Sequence, residues 1–212
     1  MSLFSSLWRR RAGPVHAASL DALLRPGFVA LDLETTGLDP RTDAILELAA
    51  IPFVEGRPQT GYVTHVDPGR RIPPESSRVH GITDAMVDGA PSVERVLAEL
   101  DDVLGDRMLV GHGIAFDLAV LARARRALGR GPLGNPALDT MRLAAALHPD
   151  WEHFGFDDVA SRLGIGILGR HTAEGDARAA GELLLTLLGE ARSRGVRTVG
   201  ELLWLQETVS RG

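Results

Sequence analysis

The chain has 212 residues, 28 acidic against 23 basic, for a formal charge of −5, and every one of the 23 cations is an arginine. A 44% hydrophobic and 24% charged composition of this length describes a globular chain with a substantial core, while the absence of cysteine excludes disulfides, thiol chemistry and cysteine-ligated zinc. No apolar run approaches the ~20 residues of a membrane-crossing helix, and the negative balance argues, at first sight, against a partner as acidic as DNA or RNA.

In chain order, Leu3, Phe4, Leu7 and Trp8 precede Arg9, Arg10 and Arg11. A secretory signal has the reverse order, so this arm reads as a surface helix or frayed end of a cytoplasmic protein. Residues 28–34, Phe-Val-Ala-Leu-Asp-Leu-Glu, read as a strand closed by the Thr35-Thr36-Gly37 turn. Further strands are expected over 44–54 and 59–66, the three forming an antiparallel meander. Val93, Val96, Leu97, Leu100, Val103 and Leu104 then recur at helical spacing. A short strand at 108–110 leads through Gly111-His112-Gly113 into a helix over 114–128. A strand near Ala137-Leu138 precedes helices over 139–147, 157–163, 173–193 and 198–208. Strands first, then alternating strand and helix, give one α/β domain with a mixed sheet. The expected division is an arm at 1–26, a main domain at 27–189 and a helical tail at 190–212.

Three segments carry chemistry. Asp32 and Glu34, two apart on a strand, project from one face while Val29, Leu31 and Leu33 take the other. Two acids in an apolar strand are costly to bury unless a divalent cation compensates them. Acid-x-acid pairs recur at Glu99/Asp101 and Glu174/Asp176, so strand context and the following Thr-Thr-Gly distinguish the first. Asp117 falls in the first turn of a helix leaving a strand end, where ligands gather in open α/β sheets. Asp176 shares its helix face with Ala180, Leu183 and Leu187, so it points inward, and His171 stands just ahead of that helix. Four carboxylates suit two Mg²⁺ or Mn²⁺ ions rather than zinc. Such a pair activates a water and stabilises the leaving oxygen in phosphodiester hydrolysis, with an imidazole as a suitable base.

These blocks occur in order: Asp32-x-Glu34-Thr35-Thr36-Gly37-Leu38, His112-x-x-x-Phe116-Asp117 and His171-x-Ala173-x-x-Asp176, with Val79-His80-Gly81-Ile82-Thr83 and Asp139-Thr140 between them. The set resembles the DEDDh 3′–5′ exonucleases, a family that includes the proofreading epsilon subunit of bacterial DNA polymerase III. The resemblance implies a ribonuclease-H-like fold with a mixed five-stranded sheet in the order 3-2-1-4-5, flanked by helices. It implies that Asp32 bridges two divalent ions, that Glu34 and Asp176 complete one site, and that Asp117 supports the other. His171 would activate the water. Thr35, Leu38, His80, His112 and Phe116 would line the pocket for the terminal nucleotides. The implied activity is release of nucleoside 5′-monophosphates from single-stranded or frayed DNA in proofreading or repair, beside a polymerase or repair partner; RNA ends are the alternative substrate, and a non-catalytic polymerase-associated module the other reading. Two departures stand out: Gly113 where the family usually has Asn, and Gly155-Phe156, followed by Asp157, where Ser-Leu is usual.

Other motifs read as structural. Gly164-x-Gly166-x-x-Gly169 lacks the preceding strand that a dinucleotide site needs. Arg123, Arg125, Arg126 and Arg130 read as a solvated helix face, with phosphate tracking as the alternative. His148 and His153 lack metal-ligand spacing, and the helix bearing Trp204 reads as a cap on the core. The −5 also changes meaning: Asp32, Glu34, Asp117 and Asp176 supply four negative charges that two divalent ions would cancel.

Overall fold

The computed structural model describes residues 17–209, and the arm bearing Trp8 lies outside them. Two long apolar strands organise it. β1 (Phe28–Thr35) and β2 (Ile45–Val54) pair antiparallel from Phe28 opposite Phe53 to Glu34 opposite Glu47. β5 (Met108–Gly111) lies parallel to β1, and β6 (Ala137–Asp139) parallel to β5.

The expected third strand is broken into β3 (Arg57–Pro58) and β4 (Tyr62–His65), both paired with β2. Gly61 sits at the break, where a Cβ would lie 2.3 Å from the Ile51 side chain and 2.8 Å from the Ala50 carbonyl. The sheet is therefore six-stranded, β3-β2-β1-β5-β6 with β4 beside β2. Counted as one broken strand, β3 and β4 leave the expected order unchanged.

Strand alternation divides the core into two layers. Val29, Leu31, Leu33, Leu48 and Leu109 face α3 (Val93–Leu104) and α4 (Ala115–Ala127). Phe28, Ala30, Ile51, Phe53 and Val110 face α5 (Thr140–Leu147), α6 (Phe156–Arg162), α7 (Ala173–Ser193) and α8 (Val199–Thr208). The Phe28 and Phe53 rings stack 4.9 Å apart. Gly181 of α7 lies over Phe53, 2.3 Å from where its Cβ would be. With Ala173, Ala177 and Ala180 also buried, the first half of α7 approaches the sheet closely, which lowers Asp176 toward β1.

Where periodicity predicts no element, two short helices form, α1 (Pro74–His80) and α2 (Asp84–Val87). Pro74 starts α1 without an N–H to satisfy, and Gly81, at φ 75°, ends it.

Both described ends join the core. Leu20 and Leu23, on a 3₁₀ turn, pack with Val199, Leu202 and Leu203. Leu202 is fully buried, while Trp204 is 46% exposed and faces out. Gln206 acts as a surrogate strand at the free edge of β6: its Oε1 accepts from Asp139 N at 2.8 Å and its Nε2 donates to the Ala137 carbonyl at 2.9 Å. No described helix is long and apolar enough to cross a membrane.

Candidate active site

The site forms where β1 outruns β5. Their pairing covers Phe28–Met108, Val29–Leu109 and Ala30–Val110, and further along the strands diverge. The Leu33 N–H, left without a strand partner there, donates to Asp117 Oδ1 at 3.1 Å. Asp117 thus reaches from the first turn of α4 to the open strand and is 6% exposed.

On the α7 side, Asp32 and Glu34 continue the row begun by Phe28 and Ala30. Thr172 caps α7, accepting from Gly175 N at 3.1 Å, and Asp176 lies in the first turn, 6% exposed. One carboxylate oxygen from each of Asp32, Glu34 and Asp176 lies within 4.8 Å of the others. The three sequence-distant acids of the first and third blocks are therefore one cluster. Asp117 stands beside this trio and acts on Asp32 by its charge.

The electrostatics are those of a site short of positive charge. Burial first, then the charges of Asp117, Asp176 and Glu34, push the Asp32 carboxyl well above the usual range. Burial, then Asp176 and Glu47, push Glu34 up to about 7. Burial lifts Asp117 to about 8, although its own N–H and that of Leu33 pull it down. Burial also raises Asp176, against the opposing charge of Arg170. Asp176 Oδ1 is buried without a hydrogen-bond partner among the described residues. An orphaned oxygen, two converging carboxylates and an all-oxygen donor set fit a hard divalent cation.

His171 adopts φ 63°, a left-handed backbone that a residue with a Cβ rarely takes, and such strain gathers at functional sites. Its loop is pressed onto α7: a Cβ on Gly175 would lie 2.2 Å from the Gly169 carbonyl oxygen. His171 Nδ1 lies 3.3 Å from Nη1 of Arg170.

The expected pocket residues divide. Thr35 is buried, its hydroxyl donating to the Gly37 carbonyl at 2.6 Å. Leu38 is 91% exposed at the rim. His80 Nδ1 accepts from Ile82 N at 3.0 Å, which places the ring proton on Nε2, and burial lowers its pKa. Phe116 packs partly on the α3–α4 layer, one residue before Asp117. His112 has no free nitrogen: Nδ1 meets Thr140 Oγ1 and Nε2 the Phe154 carbonyl, both at 2.9 Å. It ties the end of β5 to α5 and the loop before α6. Asp139 supports the same corner, accepting from Gly113 N at 2.9 Å and Met141 N at 3.0 Å. Gly113 has φ 70°, a conformation open to glycine and to asparagine, which accounts for the exchange noted in the sequence.

Two residues escape the sequence reading, Arg170 and Glu47, and a third, Arg123, takes another role than the one read. Arg170 touches both Asp176 and His171. Glu47 Oε2 accepts from Ala173 N at 2.8 Å, tying β2 to the start of α7; its signal was an acid inside an apolar strand, the argument that singled out Asp32. Arg123, read as solvated, donates from Nε to the Pro40 carbonyl at 3.0 Å and also to the Asp43 carbonyl, bracing the turn after β1.

An acidic trio at the end of a mixed sheet, under a helix with a histidine at its threshold, defines a class that the comparisons identify. The RNase T exonuclease family matches residues 29–184, and the chain belongs to this family. It is 42% identical over 205 residues to the DNA polymerase III subunit epsilon-like protein of Rhodobacter capsulatus, covering 94% of this chain and 29% of that protein. It is 31% identical over 180 residues to DNA polymerase III subunit epsilon of Aquifex aeolicus, covering 85% of this chain and 89% of that one. A PolC-type DNA polymerase III of Clostridium perfringens is 35% identical over 157 residues, 74% of this chain and 11% of that protein. The chain thus spans less than a third of the first two of the curated relatives it matches. Among solved structures, exonuclease X in complex with 5′ overhanging duplex DNA shares the fold at a TM-score of 0.67 and 23% identity, covering 84% of this chain and 99% of that one.

Proposed function

We propose that this chain is a divalent-metal-dependent 3′–5′ exonuclease that hydrolyses the terminal phosphodiester of single-stranded or frayed DNA, releasing nucleoside 5′-monophosphates. The carrying observation is the meeting of Asp32, Glu34 and Asp176 oxygens within 4.8 Å. These three would hold one Mg²⁺ or Mn²⁺, and Asp32 with Asp117 a second. Bound there, the ions supply an activated water and charge stabilisation at the leaving oxygen.

The chain's own groups do the rest. His171, at the mouth of the trio on a strained backbone, accepts the proton of the attacking water. Glu47 and Thr172 fix the start of α7, so that Asp176 keeps its aim. Thr35, Leu38, His80 and Phe116 line the approach of the terminal nucleotides. Leu38 and Phe116 offer flat apolar surface to bases, which tolerates any sequence. His112 acts on this pocket indirectly, by holding its back wall. The names of the relatives support a role beside a DNA polymerase III; proofreading or repair, in the cytoplasm, is the setting this proposal gives it. In this proposal residues 27–189 carry the catalysis, and the described parts of 1–26 and 190–212 pack into the same core.

The test uses 5′-labelled single-stranded DNA, duplex DNA with a mismatched 3′ end, and RNA, each with Mg²⁺ or Mn²⁺. Shortening of the single strand and the mismatched terminus from the 3′ end supports the proposal. Faster shortening of RNA shifts the substrate, and inertness on all three refutes the activity.

A further inference from the structure

Arg170 is held more firmly than a loop arginine needs to be. Its Nε donates to Asp157 Oδ1 at 2.8 Å, and the guanidinium lies over the Phe156 ring, 4.9 Å from its centre. Phe156, which with Gly155 stands where the family usually has Ser-Leu, and the Asp157 that follows both serve as a seat for this side chain. From that seat Nη1 donates to Asp176 Oδ2, while Asp176 Oδ1 is buried without a hydrogen-bond partner among the described residues, and one oxygen of Asp176 lies within 4.8 Å of an oxygen each of Asp32 and Glu34. The side chains of this pair are 29% and 8% exposed, so solvent screens it little.

We propose that Arg170 is a positioning residue that supplies the acid cluster with positive charge before metal binds and then competes with the metal at Asp176. The inference rests on the metal-dependent reading above. The planar fork suits the role: one edge is fixed outward on Asp157, and the remaining nitrogen takes one oxygen of Asp176, leaving the other available. A divalent ion accepted by Oδ1 would sit a few ångströms from the guanidinium, and like charges at that distance in a partly desolvated site repel strongly. Arg170 therefore stabilises the metal-free fold and weakens metal affinity together, two effects joined by linkage. An arginine that merely braced the loop would do the opposite: its loss would disorder Asp176 and weaken metal binding.

The test is Mn²⁺ titration by calorimetry on the metal-free full chain, with melting temperature measured before and after saturation. Arg170→Gln is expected to bind Mn²⁺ about tenfold tighter, a change of about 1.4 kcal/mol. Its metal-free form melts lower than wild type, and saturation closes most of that gap. Arg170→Lys keeps the charge and stays within about threefold of wild-type affinity. Asp157→Asn, on an exposed side chain, loosens the seat without removing the charge and tightens binding by about twofold to threefold. It decides the matter if Arg170→Gln does not fold. Equal or weaker Mn²⁺ binding in Arg170→Gln, or no tightening in Asp157→Asn, overturns the inference. A wild-type chain that binds no Mn²⁺ overturns the metal reading itself.

Discussion

Removing the metal should make this protein unusually sensitive to mild alkali. In the unfolded chain, carboxyls ionise near pH 4; in the metal-free fold, Glu34 and Asp117 hold their protons to about 7 and about 8, and Asp32 is raised well above its ordinary value. Between those limits the native state binds more protons than the unfolded state, so stability falls as pH rises. Each carboxyl that remains protonated in the fold costs about 1.4 kcal/mol per pH unit. From pH 6.5 to 8.5 Glu34 contributes roughly 1 kcal/mol and Asp117 roughly 2, with Asp32 adding to the sum. Mutual repulsion makes these contributions non-additive, and the expected net loss is about 2–4 kcal/mol. The window opens at the ordinary histidine value of 6.5, so the lowered pKa values of His80 and His112 offset part of the loss at its lower end and little of it above about pH 7.5. Urea unfolding in EDTA at half-unit pH steps reads the slope directly. Saturating Mn²⁺ should flatten it, because the ionised carboxylates are then compensated. Stability that stays level or rises from pH 6.5 to 8.5 in EDTA would refute the argument.

Other changes follow from single contacts. His171→Ala should slow hydrolysis by ~10²–10⁴ while Mn²⁺ affinity stays near wild type, the range expected for a general base; unchanged turnover at pH 8 rules that role out. Gly175→Ala drives a Cβ to 2.2 Å from the Gly169 carbonyl and must displace the His171 loop. A tenfold or greater fall in kcat is expected, with far-ultraviolet dichroism unchanged, since small displacements of catalytic groups cost up to ~10²-fold. Gln206→Ala strips partners from Asp139 N and Ala137 O. The expected loss is about 2–4 kcal/mol in urea unfolding, at about 1–3 kcal/mol per orphaned buried group; a loss below 0.5 kcal/mol would mean that water replaces the amide.

What the sequence revealed, and what it hid, follows from how far each signal reaches along the chain. Apolar runs bounded by turn residues marked β1 and β2, which bury both faces between the two helical layers, and three- and four-residue spacing marked α3 and α7, which each turn one face to the sheet. The acid set was legible for a related reason. Asp32 and Asp176 break apolar faces that alternation and helical spacing make obvious. The split of the third strand was not legible, since it depends on Gly61 meeting Ile51 and Ala50 across the sheet. α1 and α2 are too short to carry a period, and punctuation by Pro74 and Gly81 was their remaining cue. Arg170 was invisible because its meaning comes from Phe156, Asp157 and Asp176, and no spacing rule joins those positions. His112 matched its block, yet both of its ring nitrogens are occupied by groups that only the fold brings near.

The central claim is that Asp32, Glu34 and Asp176 together hold the metal that cleaves the 3′ terminus. The most direct measurement is a time course on 5′-labelled single-stranded DNA with Mg²⁺, comparing wild type with Asp32→Asn and identifying the released product. Wild type should shorten the strand from its 3′ end and release nucleoside 5′-monophosphates, and Asp32→Asn should fall by ~10³-fold or more, the scale of losing a principal transition-state stabiliser. An Asp32→Asn enzyme as fast as wild type, or products bearing a 3′-phosphate, would contradict it.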